Sequence, residues 1–346
     1  MPTTSPSDPV TVLDGGLSTA LEGLGADLGS SLWTARLLSE DPGLLVAAHR
    51  TYFDAGAQVA IAASYQASVP SLVAAGFDAE EAARLITSSV ALARRARDEA
   101  SAGGDRGLLV AASVGPYGAV LADGSEYRGR YGLSASELRD FHAPRLELLA
   151  STGPDLFAVE TIPDVDEARV LVELLDDVGI PAWFTYSVRE GRTCADQSLT
   201  EAYDALAGSS AIVAAGVNCS HPDEVLGAVE AGVAATGLPA VAYPNKGGSW
   251  DSATRTWEGA SGLDAASVSA WVAAGARYVG GCCGTGPTDQ ADTARDSASM
   301  SAGPVPQHPP TYRAPASTHA LTDAASRPLA PSQVRVALSQ LPPLLG

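Results

Sequence analysis

Along residues 11–300, short β-prone runs alternate with helix-forming segments, and the alternation repeats eight times. Strands joined by helices are parallel, because a chain returns beside its last strand in the same direction only through a long crossover. Eight such units predict an α/β fold of the (β/α)8 TIM-barrel type. The expected strands are Thr11 to Leu13, Gln58 to Ala63, Leu108 to Val114, Asp155 to Val159, Pro181 to Val188, Ala211 to Val217, Pro239 to Ala242 and Arg277 to Val279. Helix punctuation falls between them. Asp41-Pro42 opens a helix that Gly56 closes, Ser134 and Glu137 have capping-box spacing, and Gly179 and Gly275 mark helix ends. A doubly wound open sheet is the alternative arrangement of the same units. No GxGxxG follows the first strand, and the count closes at eight.

The barrel is expected over residues 11–300, after a polar N-terminal tail at residues 1–10. Residues 301–346 change composition to Pro, Ser and Ala, which predicts a disordered or loosely docked tail. The chain of 346 residues is 46% hydrophobic, enough for one large core. No apolar run approaches the roughly 18 residues of a membrane helix, so no membrane partner is expected. The first nine residues have neither a charged n-region nor an apolar h-region, which predicts a cytoplasmic protein. The net charge of −19 argues against nucleic acid as a partner. Four cysteines in so long a chain do not make a disulfide framework.

In a (β/α)8 barrel the chemistry sits at the C-terminal ends of the strands. There the sequence places Asp14 and Gly15 after strand one, Ser64, Tyr65 and Gln66 after strand two, and Glu160 after strand four. Asn218 and Cys219 follow strand six, Asn245 follows strand seven, and Cys282 and Cys283 follow strand eight. Strands six and eight are next-but-one neighbours, so their ends can converge. Three cysteines there suit Zn²⁺ with a fourth position open. A free thiol is mostly protonated at neutral pH, and zinc coordination would leave a soft sulfur nucleophile, whose chemistry is alkyl transfer to sulfur. Asp14 and Glu160 could bind the ammonium group of an amino-acid substrate. Their bland alternatives are an Asx turn before Gly15-Gly16 and a helix-start acid. Asn245 could fill the fourth position through its amide oxygen, or serve only its turn. His221 as a ligand competes with a place at the start of the helix opened by Pro222. Cys282-Cys283 could also be a redox dithiol, or two small buried side chains in a Gly-rich turn. The longer loop from Tyr117 to Leu133 reads as a lid or substrate wall.

Six pieces of the chain resemble the homocysteine S-methyltransferases. They are Leu13-Asp14-Gly15-Gly16, Ala63-Ser64-Tyr65-Gln66-Ala67-Ser68, Glu160-Thr161-Ile162-Pro163-Asp164, Gly216-Val217-Asn218-Cys219, Tyr243-Pro244-Asn245 and Gly280-Gly281-Cys282-Cys283-Gly284-Thr285. The resemblance implies that Cys219, Cys282 and Cys283 bind zinc and that Asp14 and Glu160 help to hold homocysteine. Gly15, Ser64, Tyr65, Gln66, Asn218 and Asn245 complete the expected substrate-binding set, with no catalytic residue beyond the zinc site. The stretch Ser64-Tyr65-Gln66 looks closest to the branch that uses S-methylmethionine or S-adenosylmethionine as methyl donor and yields methionine. A betaine-type transferase and a non-catalytic zinc- or thiol-binding barrel are the alternatives.

Overall fold

Eight parallel strands carry the molecule: β1 (Thr11–Val12), β2 (Val59–Ile61), β3 (Leu109–Val114), β4 (Leu156–Ile162), β5 (Ala182–Tyr186), β6 (Ile212–Asn218), β7 (Ala240–Tyr243) and β8 (Ala276–Val279). They belong to a computed structural model that describes residues 9–29, 33–247, 249–251, 256–258 and 263–300. The strands pair in the order β1-β8-β7-β6-β5-β4-β3-β2. A parallel bridge between Leu13 and Val59 joins the two ends, so the sheet closes. Every residue of β4 and β5 is buried, as expected of strands covered on both faces.

Outside the sheet lie α1 (Pro42–Asp54), α2 (Ala79–Ala100), α3 (Ala135–Ser151), α4 (Val165–Val178), α5 (Leu199–Asp204), α6 (Val225–Thr236), α7 (Ala265–Ala274) and α8 (Pro287–Met300). Six of the eight start at side-chain caps. Asp41, Asp78, Ser134, Asp164, Ser198 and Asp264 each accept a hydrogen bond from a backbone N–H of the first turn. Ser134 and Glu137 form the expected reciprocal box. Gly179 and Gly275 close α4 and α7 in the left-handed region, a conformation cheap only for glycine.

Two apolar layers result. The larger one fills the space between sheet and helices. The smaller fills the barrel itself, around Leu13, Val59, Ala158, Trp183, Val241 and Tyr243. Trp183 and Tyr243 meet edge to face at 6.2 Å, and the indole N–H donates to the Tyr243 hydroxyl at 3.1 Å. That bond satisfies the one polar group of the tryptophan in the barrel interior. Gly216 permits the close approach of β6 and β7: a Cβ there would lie 1.9 Å from the Val241 carbonyl oxygen.

The structure departs from the expected elements in several places. Additional helices run from Trp33 to Glu40 and, capped by Ser68, over Val69–Ala74. Strand five stops at Tyr186 because the chain turns into a small hairpin, Val188–Arg189 with Arg192–Thr193. The loop from Tyr117 to Leu133 is partly regular, with a helix at Tyr117–Leu121 and a 3-10 turn at Ser125–Tyr127. Most of the N-terminal tail, and the C-terminal tail over 301–346, lie outside the described residues. Among the described residues no helix is long and apolar enough to cross a membrane.

Candidate active site

β7 lies between β6 and β8, so the residues after β6 and β8 flank its end from both sides. Register pairs Asn218 with Tyr243, and Ala242 with Val279. Beyond these pairs the three chains are tied by backbone bonds. Cys219 N–H donates to the Tyr243 carbonyl (3.2 Å), Asn245 N–H to that of Ser220 (3.0 Å), Cys282 N–H to that of Pro244 (2.7 Å) and Lys246 N–H to that of Cys283 (2.9 Å). Cys219 takes φ +47°, a left-handed conformation unusual for a side-chain-bearing residue.

The thiols of Cys219, Cys282 and Cys283 gather with all three Sγ atoms within 4.8 Å of one another. Cys219 and Cys283 are 3.7 Å apart, and none of the three is in a disulfide. A tetrahedral thiolate site with metal–sulfur bonds of about 2.3 Å has sulfur–sulfur edges of about 3.8 Å, so the cluster fits a soft divalent ion. The proton inventory points the same way. Hydrogen bonds from Cys219 and Cys282 hold the Cys283 thiol well below its ordinary range. Cys282 is pushed well up, by donating to Cys219 and Cys283 and by burial. Three sulfurs this close ionise together only beside a cation. His221 is not part of the cluster. It is half exposed, and its ring accepts from the Asp223 N–H at the start of the following turn.

Two carboxylates share the cavity with the thiols. Asp14 Oδ2 accepts from Ile61 N–H (2.8 Å), while Oδ1 is sealed from solvent with no hydrogen-bond partner. Burial pushes the Asp14 carboxyl well above its usual range; the Ile61 bond opposes this and the charge of Glu160 adds to it. Glu160 accepts from the Ser113 hydroxyl and from the Tyr243 hydroxyl (3.2 Å). Burial nevertheless pushes it up to about 7, the two hydrogen bonds pulling the other way. Two acids that face each other without a counter-charge call for a cationic group between them.

Behind Glu160 the polar groups are saturated. Asn218 Oδ1 accepts from the Thr161 N–H (2.6 Å) and the Thr185 hydroxyl (2.8 Å), and its Nδ2 donates to Thr161 Oγ1 (2.8 Å). This clasp holds Thr161 at φ +62°, an expensive conformation for a β-branched residue. On the opposite side, the buried Arg145 donates to the carbonyls of Gly115 (3.0 Å), Ser64 (3.1 Å) and Tyr65 (2.9 Å), fixing the ends of β2 and β3.

A cavity of about 260 Å³ opens at this end of the barrel. Asp14, Gly15, Tyr65, Gln66, Glu160 and all three cysteines line it. Ser64, Asn218 and Asn245, expected to bind substrate, are not in its wall. The Ser64 hydroxyl donates to the Ser113 carbonyl (2.8 Å), Asn218 is occupied by the threonines, and Asn245 Oδ1 accepts from Cys283 N–H (3.2 Å). The wall also holds residues not expected from sequence to bind substrate: Glu126, Tyr127, Thr161 and Tyr243. The Tyr127 hydroxyl lies 3.1 Å from Cys219 Sγ. The sole sequence signal for Glu126 and Tyr127 was the length of the loop that carries them.

Fold and site together define a (β/α)8 barrel enzyme with a cluster of three thiols, spaced as a soft metal would need, at the ends of β6 and β8. A family profile described as homocysteine S-methyltransferase matches residues 11–295. The homocysteine S-methyltransferase YbgG of Bacillus subtilis (strain 168) is 42% identical over 290 residues, spanning 81% of this chain and 91% of its own. The homocysteine S-methyltransferase of Escherichia coli (strain K12) is 43% identical over 290 residues, spanning 81% and 93%. Among solved structures, the metallated form of the homocysteine methyltransferase MmuM from Escherichia coli superposes with a TM-score of 0.76 at 41% identity, covering 83% of this chain and 96% of that one. The chain belongs to the homocysteine S-methyltransferase family, and it is an enzyme of that activity.

Proposed function

We propose that the chain transfers a methyl group from a sulfonium donor, S-methylmethionine or S-adenosylmethionine, to homocysteine, with Zn²⁺ held by Cys219, Cys282 and Cys283. The observation that carries this reading is the arrangement in one cavity of three free thiols within 4.8 Å and two buried carboxylates, Asp14 and Glu160. Bound zinc would supply the Lewis acidity that keeps the acceptor sulfur deprotonated at neutral pH.

The protein's own groups do the rest. Asp14 Oδ1 lacks a partner and is free to accept from the homocysteine ammonium, whose charge also relieves the repulsion from Glu160. Ser113 and Tyr243 orient the Glu160 carboxylate through two hydroxyls, so it is placed before substrate arrives. The acceptor's thiolate then displaces a neutral sulfide at the donor's methyl carbon. One C–S bond forms as another breaks, and the products are methionine and the demethylated donor. The negative sulfur and the positive sulfonium are neutralised together, so a cavity with little water favours the transition state. No general base is needed at the moment of transfer. Free thiols at the heart of the site agree with a reducing, cytoplasmic setting.

The test is methionine formation from homocysteine with S-methylmethionine, S-adenosylmethionine and betaine in parallel, beside metal analysis of the purified protein. Turnover with a sulfonium donor and one zinc per chain is expected. A preference for betaine would overturn the donor assignment, and protein active without zinc would overturn the metal assignment.

A further inference from the structure

The turn Ser125–Tyr127 sits over the cavity between β3 and α3, and it is fastened at several points. Ser125 N–H donates to Asp123 Oδ1 (2.9 Å). Gly118 packs so tightly under the turn that a Cβ there would lie 2.5 Å from the Glu126 nitrogen. Further along, Arg130 N–H donates to Asp164 Oδ2 (2.8 Å), and its Nε–H to the Ala195 carbonyl (3.0 Å). The turn is a built wall of the site. It brings in two side chains: Tyr127 against the Cys219 thiol, and Glu126 in the cavity lining.

Glu126 Oε2 is sealed from solvent without a hydrogen-bond partner. So is Gln66 Oε1, which lines the same cavity, and so is Asp14 Oδ1. All three atoms are acceptors. Leaving such an atom buried and unpaired costs about 1–3 kcal/mol. Three of them around one cavity therefore mark where donors on a ligand belong. Neither the acceptor's thiolate nor a sulfonium centre carries a polar hydrogen. In homocysteine and S-methylmethionine the N–H groups are α-ammonium groups, and each reactant brings one. Asp14 and Glu160 take the first. A second acidic acceptor, on a different element and facing the same space, remains for the other.

We propose that Glu126, with Gln66 from the same wall, is the specificity-determining residue that receives the α-ammonium group of the methyl donor. The inference rests on the methyl-transfer reading above and deepens it: the donor is a sulfonium amino acid, and the enzyme reads its amino group as well as its sulfonium. Betaine has a fully substituted nitrogen and offers no N–H to Glu126 or Gln66.

The experiment compares S-methylmethionine with (3-carboxypropyl)dimethylsulfonium, the same donor without its amino group, using the full-length zinc-loaded enzyme and Glu126→Gln. The wild type should favour the aminated donor by roughly 100-fold in kcat/KM, the scale of an unpaired buried charge. In Glu126→Gln the preference should fall to within about 5-fold, through a raised donor KM, with the KM for homocysteine changed less than about 2-fold. An undiminished preference in the variant, or a homocysteine KM that rises in place of the donor KM, overturns the proposal. Calorimetric binding of both donors to the wild type gives a test that needs no variant: equal affinities also overturn it. A wild type that makes no methionine from either donor defeats the methyl-transfer reading itself. An active wild type with an unaltered preference in the variant defeats only the role of Glu126.

Discussion

The two sides of the cavity are finished to different degrees. On the side spanned by β3 to β7, Asn218, Thr161, Thr185, Tyr243 and Ser113 exchange hydrogen bonds among themselves and with Glu160. On the facing side, Asp14, Tyr65, Gln66 and Glu126 each keep a buried polar atom without a partner. The first side is complete without a ligand and sets the geometry. The second stays incomplete, and under the proposed function its unmet hydrogen bonds would become binding energy when substrates arrive. Substitutions on the first side should therefore cost stability, and substitutions on the second should cost binding while sparing or raising stability.

The largest expected effect lies where the two sides meet. Cys219→Ser should remove bound zinc and lower methyl transfer by about 1,000-fold or more, since it deletes one of three thiols. Metal analysis and methionine formation measure it, and a variant that keeps both would detach the thiol cluster from the chemistry. Next, Asn218→Ala strands the Thr161 N–H and takes one partner from the Thr185 hydroxyl, which keeps the Val159 carbonyl and the Tyr243 hydroxyl, and should destabilise the protein by about 2–3 kcal/mol in denaturant titrations. A loss below about 1 kcal/mol would mean that the saturated side is not what holds the rim.

The comparison also has a pH signature. The Glu160 carboxyl is raised from 4.5 to about 7 in the folded protein. The folded state therefore holds its proton more tightly than the unfolded state, and this contribution to stability is complete below about pH 4.5 and lost as pH rises through about 7. In chelator-stripped protein, Glu160→Gln should be as stable as wild type near pH 4.5 and more stable, by roughly 2–3 kcal/mol, near pH 8.5. A pH-independent difference between the two would contradict the assigned shift. The smallest effect belongs to the unfinished side. Gln66→Met removes a buried unpaired oxygen at similar volume, and should raise stability by up to about 1 kcal/mol while the donor KM rises. A clear loss of stability there would show that this side, too, is structurally committed.

The barrel was legible because eight βα alternations leave few other architectures, and the cysteines were legible because strand ends with glycines around them could be counted around the ring. Side-chain direction was harder to read. Alternation along a strand tells which face a residue takes only while the backbone stays extended. Thr161 and Cys219, at φ +62° and +47°, break the count at the rim. Asn218 and Asn245 were accordingly expected to touch substrate, whereas their amides brace Thr161 and Cys283. Ser113 and Thr185 escaped notice as chemistry because polar groups inside a strand look like ordinary barrel lining. Glu126 and Tyr127 come from a turn whose docking depends on Gly118, and nothing local in the sequence announces it. Arg145 reads as one more charge on an amphipathic helix, yet it is 1% exposed and ties two strand ends together.

The end of β7 gives the thiol cluster a property of its own. Cys219 hangs from the Tyr243 carbonyl, Cys282 from that of Pro244, and Cys283 donates to the Asn245 side chain and accepts from the Lys246 N–H. All three sulfurs are thus positioned from four consecutive residues of one strand end. In the language of mechanical tolerances, they share a single datum. Displacements of that strand end carry the whole cluster along as one body, and errors in spacing do not accumulate around the barrel. A cluster whose thiols stand 63 and 64 residues apart in the chain is thereby held to the precision of a local turn.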